Sequence, residues 1–409
     1  MADELSVWLY GERVAIIDRH KGRPRLAYTE DALRRYDLGT PLLSLSLPLS
    51  ERHFTQGIVR PFIDGLLPEG ESRKAIARDV GLRADDTYGL IRELGRDCAG
   101  AVVIQPADEP TPPTPTTVTA EPLTPGELAA LVSNLRSAPL GAGGRVRISL
   151  AGVQEKLLLT RMPDGKWGRP VDGTPSTHIL KPEIAAYPRT VENEAFCMRV
   201  AKNLGLAVAA VETTEIAKRK LIVVERFDRT VSVDGAVARI HQEDFCQATG
   251  VSPETKYEED GGPSLQRIAA VLQSVAAPDS LERFLQAVTL NVLIGNGDAH
   301  AKNFSLLHHA SGSLMLTPLY DLMCTLHYGD DRLAMCIDTV QRTDRVTAAR
   351  IANEAVSWGI SRDRAASTID GVLGRAPAAM SAARKETPGL PKELYATVER
   401  QLLQLRSAG

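Results

Sequence analysis

The sequence has 409 residues, more than one hydrophobic core ordinarily supports, and so predicts two or three domains. Its 43% hydrophobic and 24% charged residues, with a formal charge of -3 at pH 7, are those of an ordinary globular chain without the basic excess of a nucleic-acid coat. No apolar run reaches the roughly 18 residues that a membrane span needs. The opening MADELSVWLYGERVAII carries acids where a secretory leader needs positive charge, and the chain is read as cytoplasmic with no membrane partner. Five widely spaced cysteines (Cys98, Cys197, Cys246, Cys324, Cys336) include no C-x-x-C pair, so they are expected to be reduced and mostly core.

In chain order, LSVWLYG, RVAIIDR and PRLAYT alternate like short strands between turn residues, and ESRKAIARDV and DTYGLIREL follow with helical spacing. Residues 1–105 therefore predict a small α+β module. Residues 106–125, rich in proline and threonine, suit an extended linker. Thr124 and Pro125 with Glu127 three residues past the threonine form a capping box that opens the helix GELAALVSNLRS. Strand-like EKLLLTRM and STHILKPE come next, then a helix from about Val191 to Leu204 closed by Gly205, then a strand pair across a lysine-rich turn, VAAVETTEIA and KLIVVERFD. Residues 126–242 thus predict a β-rich lobe with one helix, and residues 243–409 a mostly helical one, including SLERFLQAVTLNVLI. The class is α+β.

The eight residues NGDAHAKN, 296 to 303, end that last helix and lead into the strand-like FSLL. Asp298 and Asn303 are separated by four residues, the D-x-x-x-x-N spacing with which a phosphoryl-transfer loop supplies a carboxylate for the acceptor's proton and an oxygen ligand for magnesium. Asp321, beyond the turn HASGS, is placed as a second metal ligand. Alone, each of these is more often a turn former, and His300 and Lys302 are more often structural or solvated. Upstream, Gly141, Gly143, Gly144 and Gly152 bracket a strand pair and could let backbone amides approach phosphate, although the stretch fits no phosphate-loop pattern. Lys181 ends an apolar strand, where burial asks for an anion such as an ATP phosphate, and Glu192 and Glu194 on the next helix are ion-pair candidates for it. The run VVERFDR reads as a strand breaking into a polar link between lobes, with backbone available to adenine. The order of glycine loop, lysine strand, glutamate helix, hinge, D-x-x-x-x-N loop and second aspartate is that of a bilobal, protein-kinase-like fold.

These segments, ISLAGVQEK, THILKPE, ENEAFCM, VERFDR, GNGDAHAKNFSLL and LTPLYDL, with LLPEGESRK and LGRDCAGAV in the first module, resemble the HipA family of bacterial serine/threonine kinase toxins over nearly the whole chain. The resemblance implies ATP with Mg2+, Asp298 as catalytic base, Asn303 and Asp321 as metal ligands, and Lys181 on the phosphates. It also implies that the loop Ala151, Gly152, Val153, Gln154, Glu155 and Lys156 covers the phosphates, that backbone at Glu225 and Phe227 holds adenine, and that His300 sits beside the nucleotide. Family members are neutralised by a HipB-like helix-turn-helix antitoxin, repress their operon as a complex on operator DNA, and typically phosphorylate an aminoacyl-tRNA synthetase, the glutamyl enzyme above all. Autophosphorylation in the family maps to Ser149, where added negative charge beside the ATP phosphates would expel the loop.

No H-R-D, D-F-G or A-P-E motif is present, so control by an ordinary activation loop is not expected. Two other readings stay open: the same site acting on a small-molecule or lipid hydroxyl, and a non-catalytic corepressor that serves the antitoxin and DNA. Basic pairs such as those in RDRAA and AARKETPGLPK read as solvated faces, so DNA contact is expected through the complex.

Overall fold

Period-two alternation at the N-terminus becomes an antiparallel sheet in the order Arg23–Tyr28, Glu12–His20, Glu4–Leu9 and Val102–Pro106. Two tight turns set its register: Tyr10 and Gly11, then Lys21 and Gly22, all hold positive φ, the backbone that matches a two-residue hairpin to strand twist. The computed structural model describes residues 4–112, 120–135, 150, 154–171, 173–233, 236–309 and 312–407. Its contacts divide the chain into two units, Met1–Pro182 with Glu215–Glu254, and Glu183–Thr214 with Thr255–Gly409.

In the first unit the helices Gln56–Leu66, Gly70–Asp79 and Thr87–Leu94 cover the N-terminal sheet through Val59, Phe62, Ile63, Ile76 and Ile91. Gln56–Leu66 continues through Pro61, a residue that ordinarily argues against a helix interior, because its apolar face is buried. A second sheet runs in the order Ala120–Pro122, Trp167–Pro170, Leu157–Arg161, His178–Pro182 and Arg219–Glu225. Its core of Leu157, Leu159, Leu180, Leu221 and Val223 also takes Val132 from the helix Pro125–Ser133. That helix starts on the expected capping box, with Thr124 and Glu127 each accepting the other's backbone N–H.

The proline-rich seam does not separate compact units. Segment 226–249 returns to the N-terminal module through buried polar bonds: Glu243 accepts from Ser44 Oγ and from Leu45 N at 3.0 Å, and His241 Nε2 lies 2.9 Å from the Leu43 carbonyl. The run ERFDR, read from sequence as a polar link between lobes, is instead an internal part of the first unit. Arg226, Asp228 and Arg229 are almost wholly buried in the first unit, and the contact boundaries fall at 182/183, 214/215 and 254/255. The helix Thr190–Asn203, expected in the β-rich lobe, belongs to the second unit.

That second unit is helical as expected. Arg362–Glu386 packs on Thr190–Asn203, Ala348–Ser357 and Ser280–Ile294, and Lys392–Ser407 also lies on Ser280–Ile294. Phe284 anchors the core, 5.2 Å edge-on from Phe304 and 5.1 Å from Trp358 between ring centroids. No helix among the described residues is long and apolar enough to cross a membrane. All five cysteines are free and four are buried, and burial pushes the Cys98 thiol up to about 12.

Candidate active site

The helix Ser280–Ile294 ends on Gly295, whose φ of +68° lets its N–H reach back to the carbonyls of Asn291 and Val292. The chain then turns tightly. Asn296 Nδ2 donates to Asn291 Oδ1 at 2.8 Å, and Asn296 Oδ1 accepts the Asp298 N–H at 3.2 Å, so the helix end itself aims the aspartate. Gly297 N donates to Thr325 Oγ1 at 2.7 Å while its carbonyl accepts Ala334 N at 2.7 Å. A Cβ at Gly297 would stand 2.3 Å from the Arg332 carbonyl oxygen and 3.0 Å from Thr325 Oγ1, which explains glycine there. Gly297→Ala is expected to lower stability by about 1–3 kcal/mol and to displace Asp298. A lowered denaturation midpoint together with lost phosphoryl transfer is the expected reading.

Past Asp298 the backbone closes through His300 N to the Asp298 carbonyl at 2.8 Å and Asn303 N to the His300 carbonyl at 2.9 Å, a single 3-10 turn over Ala301–Asn303. His300, Lys302 and Asn303 are buried. The hairpin Ser305–His308 with Leu314–Leu316, in register Leu306 to Leu316, carries Asn303 and the segment leading to Asp321 to its same end. Tyr320 fastens them: its hydroxyl donates to the Lys302 carbonyl at 2.7 Å and lies 2.6 Å from Ser305 Oγ. Asp321 holds a left-handed φ of +56°, a sparsely populated backbone that aspartate tolerates better than most residues and that clusters at functional sites.

Asp298 is half-buried, and Tyr257 Oη donates to its Oδ1 at 2.6 Å. Burial raises the Asp298 carboxyl above its ordinary value. The Tyr257 hydrogen bond and nearby Lys256 pull it down, and the carboxylates of Asp321 and Asp330 push it up. A base of raised affinity suits proton abstraction from an alcohol better than an ordinary surface aspartate does. Sequence motifs singled out Asp298, His300, Asn303 and Asp321, but not Tyr257, Thr325 or the close-packed Gly297. Tyr257 lies 41 residues from Asp298 in the acidic run YEED, which carries no pattern of its own.

The remaining site candidates fall in the first unit, except Glu192 and Glu194, which are buried on the helix Thr190–Asn203. Glu192 accepts from Arg189 at 2.8 Å. Lys181 is half-buried in the strand His178–Pro182, paired with Ile222. Gln154 Nε2 donates to the Pro182 carbonyl at 3.2 Å, bringing the end of the loop beside the lysine strand; Lys156 is buried and Glu155 lies 3.6 Å from Arg219. Glu225 is exposed and Phe227 half-buried. Ser149, Ala151, Gly152 and Val153, with Gly141, Gly143 and Gly144, lie outside the described residues.

Comparison with known proteins shows the family. The HipA N-terminal domain matches residues 5–105 and the HipA-like C-terminal domain residues 148–380. "Putative kinase Y4mE" of Sinorhizobium fredii is 42% identical over 367 residues, 87% of this chain and 84% of that protein. The serine/threonine-protein kinase toxin HipA of Shewanella oneidensis is 32% identical over 380 residues, 89% of this chain and 86% of its own. A solved complex of Shewanella oneidensis HipA with HipB and its operator DNA superposes with a TM-score of 0.83, at 29% identity, over 98% of this chain and 96% of that one. With both domains matched in order and a mixed helix and sheet fold shared over nearly its full length, the chain belongs to the HipA family of serine/threonine kinase toxins.

Proposed function

We propose that this chain is an ATP-dependent serine/threonine protein kinase acting in the cytoplasm as the toxin of a toxin–antitoxin pair, with an aminoacyl-tRNA synthetase, the glutamyl enzyme first, as its target. What supports the catalytic part is that Asp298 and Asn303 follow one helix end while one hairpin carries Asn303 and the segment leading to Asp321 to the same end. Their donor chemistry fits a hard divalent cation: a carboxylate oxygen from Asp321 and an amide oxygen from Asn303, with phosphate oxygens and water to complete the shell. Magnesium, when bound, neutralises and orients the phosphates.

Asp298 takes the proton from the acceptor hydroxyl as its oxygen attacks the γ-phosphorus, and ADP leaves. Lys181 and the loop Ala151 to Lys156 hold the phosphates, backbone at Glu225 and Phe227 receives adenine, and His300 flanks the nucleotide. Ser149 is the site at which the kinase phosphorylates and limits itself. The solved Shewanella complex supports a HipB-like antitoxin as partner and contact with operator DNA through that complex.

The test is to incubate the chain with ATP, magnesium and a panel of purified aminoacyl-tRNA synthetases, and to map phosphate by peptide mass spectrometry. One synthetase is expected to gain phosphate on serine or threonine and to lose aminoacylation. ATP consumption with no synthetase labelled would reject that acceptor.

A further inference from the structure

Tyr257 makes the one side-chain hydrogen bond that reaches the Asp298 carboxylate among the described residues, and neither family spacing nor sequence pattern points to it. We propose that Tyr257 is a positioning residue for phosphoryl transfer: by donating to Oδ1 of Asp298 it fixes the carboxylate plane and leaves Oδ2 to receive the acceptor's proton. This rests on Asp298 being the catalytic base.

A 2.6 Å hydrogen bond from a tyrosine hydroxyl could equally mark a side chain that merely fills the acceptor's place and leaves when the acceptor arrives. The surroundings of Tyr257 argue for a fixed role. Glu258 Oε2 accepts Cys336 N at 2.6 Å, and Glu259 Oε2 pairs with Arg332 at 2.6 Å. Gly262 N closes on the Tyr257 carbonyl at 2.8 Å, and a Cβ at Gly262 would stand 2.5 Å from the Thr255 carbonyl oxygen, so the turn after Tyr257 is closely packed. The strand Arg332–Ile337 that holds this segment is the same strand that holds the catalytic turn, through Ala334 N on the Gly297 carbonyl and the Arg332 carbonyl oxygen lying where a Cβ on Gly297 would stand. One strand therefore sets the distance between Tyr257 and Asp298. The ring of Tyr257 also meets His300 edge-on, with centroids 5.3 Å apart at 80°, so it touches the catalytic loop two residues beyond the base.

Holding a carboxylate by one oxygen removes a rotation that would otherwise have to be frozen during reaction, and a near-attack geometry is lost by small displacements. Tyr257→Phe keeps the ring, its contact with His300 and the backbone anchors, and removes only the hydroxyl. Its kcat is expected to fall on the order of ten- to a hundredfold, the size of one charge-assisted hydrogen bond, with KM for ATP and for the acceptor within about twofold of wild type. Because Tyr257 acts through Asp298, the double variant Tyr257→Phe with Asp298→Asn is expected to be no slower than Asp298→Asn alone. A merely structural tyrosine would show additive losses and a raised KM.

Wild-type kcat in Tyr257→Phe, with Asp298→Asn inactive, would overturn the positioning role and leave Asp298 as base. A faster Tyr257→Phe enzyme would overturn it in favour of a hydroxyl that obstructs the acceptor. Full activity in Asp298→Asn would instead remove the reading on which the inference rests. Matching thermal unfolding of all variants shows that each rate is read from folded protein.

Discussion

Asp298→Asn is expected to lower phosphoryl transfer by about 10²–10⁴-fold, the range supplied by a positioned general base, while the protein stays folded. The amide keeps an oxygen for the Tyr257 hydroxyl and a near-identical volume, so the turn from Gly295 to Asn303 is preserved. The expected stability change is opposite in sign to the activity change. Burial raises the Asp298 carboxyl, so the ionised group disfavours the folded state above that raised value, and a neutral amide removes the penalty. The variant should therefore unfold at the same temperature as wild type or higher, as happens where an active site is held at the expense of stability. The same sign governs pH: wild-type activity is expected to fall as pH drops through the raised Asp298 value, at a higher pH than an ordinary aspartate would give. A rate profile of kcat against pH, beside the thermal midpoint of the variant, checks both.

Asp97→Ala should have the largest effect on stability. Asp97 is 1% exposed and sits among Arg226, Arg229 and Arg239: Oδ1 accepts Arg229 at 2.8 Å and Arg239 at 3.4 Å, and Oδ2 accepts both N–H and hydroxyl of Ser176 at 2.9 and 2.7 Å. Asp228 completes the cluster, taking two bonds from Arg226 and the Gly100 N–H at 2.7 Å, while the Cys98 carbonyl accepts both Arg226 and Arg229. Removing one partner of a buried ionic network leaves unpaired charge, which costs about 3–5 kcal/mol. By contrast Glu30→Ala, which breaks the exposed i,i+4 pair with Arg34, is expected to leave stability nearly unchanged, because solvent screens the pair. Chemical denaturation of the two variants reads this difference.

The network also carries a pH signature. Burial alone would raise the Asp228 carboxyl, but Arg226 and Arg229 beside it hold it well below the usual carboxylate range. A carboxyl depressed in the folded state contributes stability that is full above its unfolded value of about 4 and is lost as pH falls toward the depressed one. Acid unfolding of the first unit is thus expected below about pH 4, shallower in Asp97→Ala, which has already lost part of the charge pairing.

What could be read in advance was what local sequence controls. Thr124, Pro125 and Glu127 announce a helix start because a capping box is satisfied within four residues, and Gly205 announces a helix end because glycine takes the left-handed backbone there, φ +79°, without a Cβ in the way. Asp298 and Asn303 belong to one short loop, so their spacing was visible; Asp321 followed from a short hairpin. Tyr257 was not legible, because it meets Asp298 only through the strand Arg332–Ile337, which is remote in sequence from both. The charged run ERFDR looked like a solvated link for the same reason. Its arginines find Asp97 more than 120 residues away, and charges become buried only when such partners arrive from elsewhere in the chain. The proline-rich seam marked a change of composition, which says nothing of what packs on either side, and its end, Ala120–Pro122, pairs as an edge strand of the second sheet.

In this reading Asp298 drives phosphoryl transfer from ATP to a protein hydroxyl. Its most direct test is phosphopeptide mapping of wild type and Asp298→Asn after incubation with ATP and magnesium. Phosphate is expected on Ser149 in the wild type and on no residue of the variant. Folded wild-type protein that binds ATP yet places no phosphate on any serine or threonine, its own or a synthetase's, would contradict it.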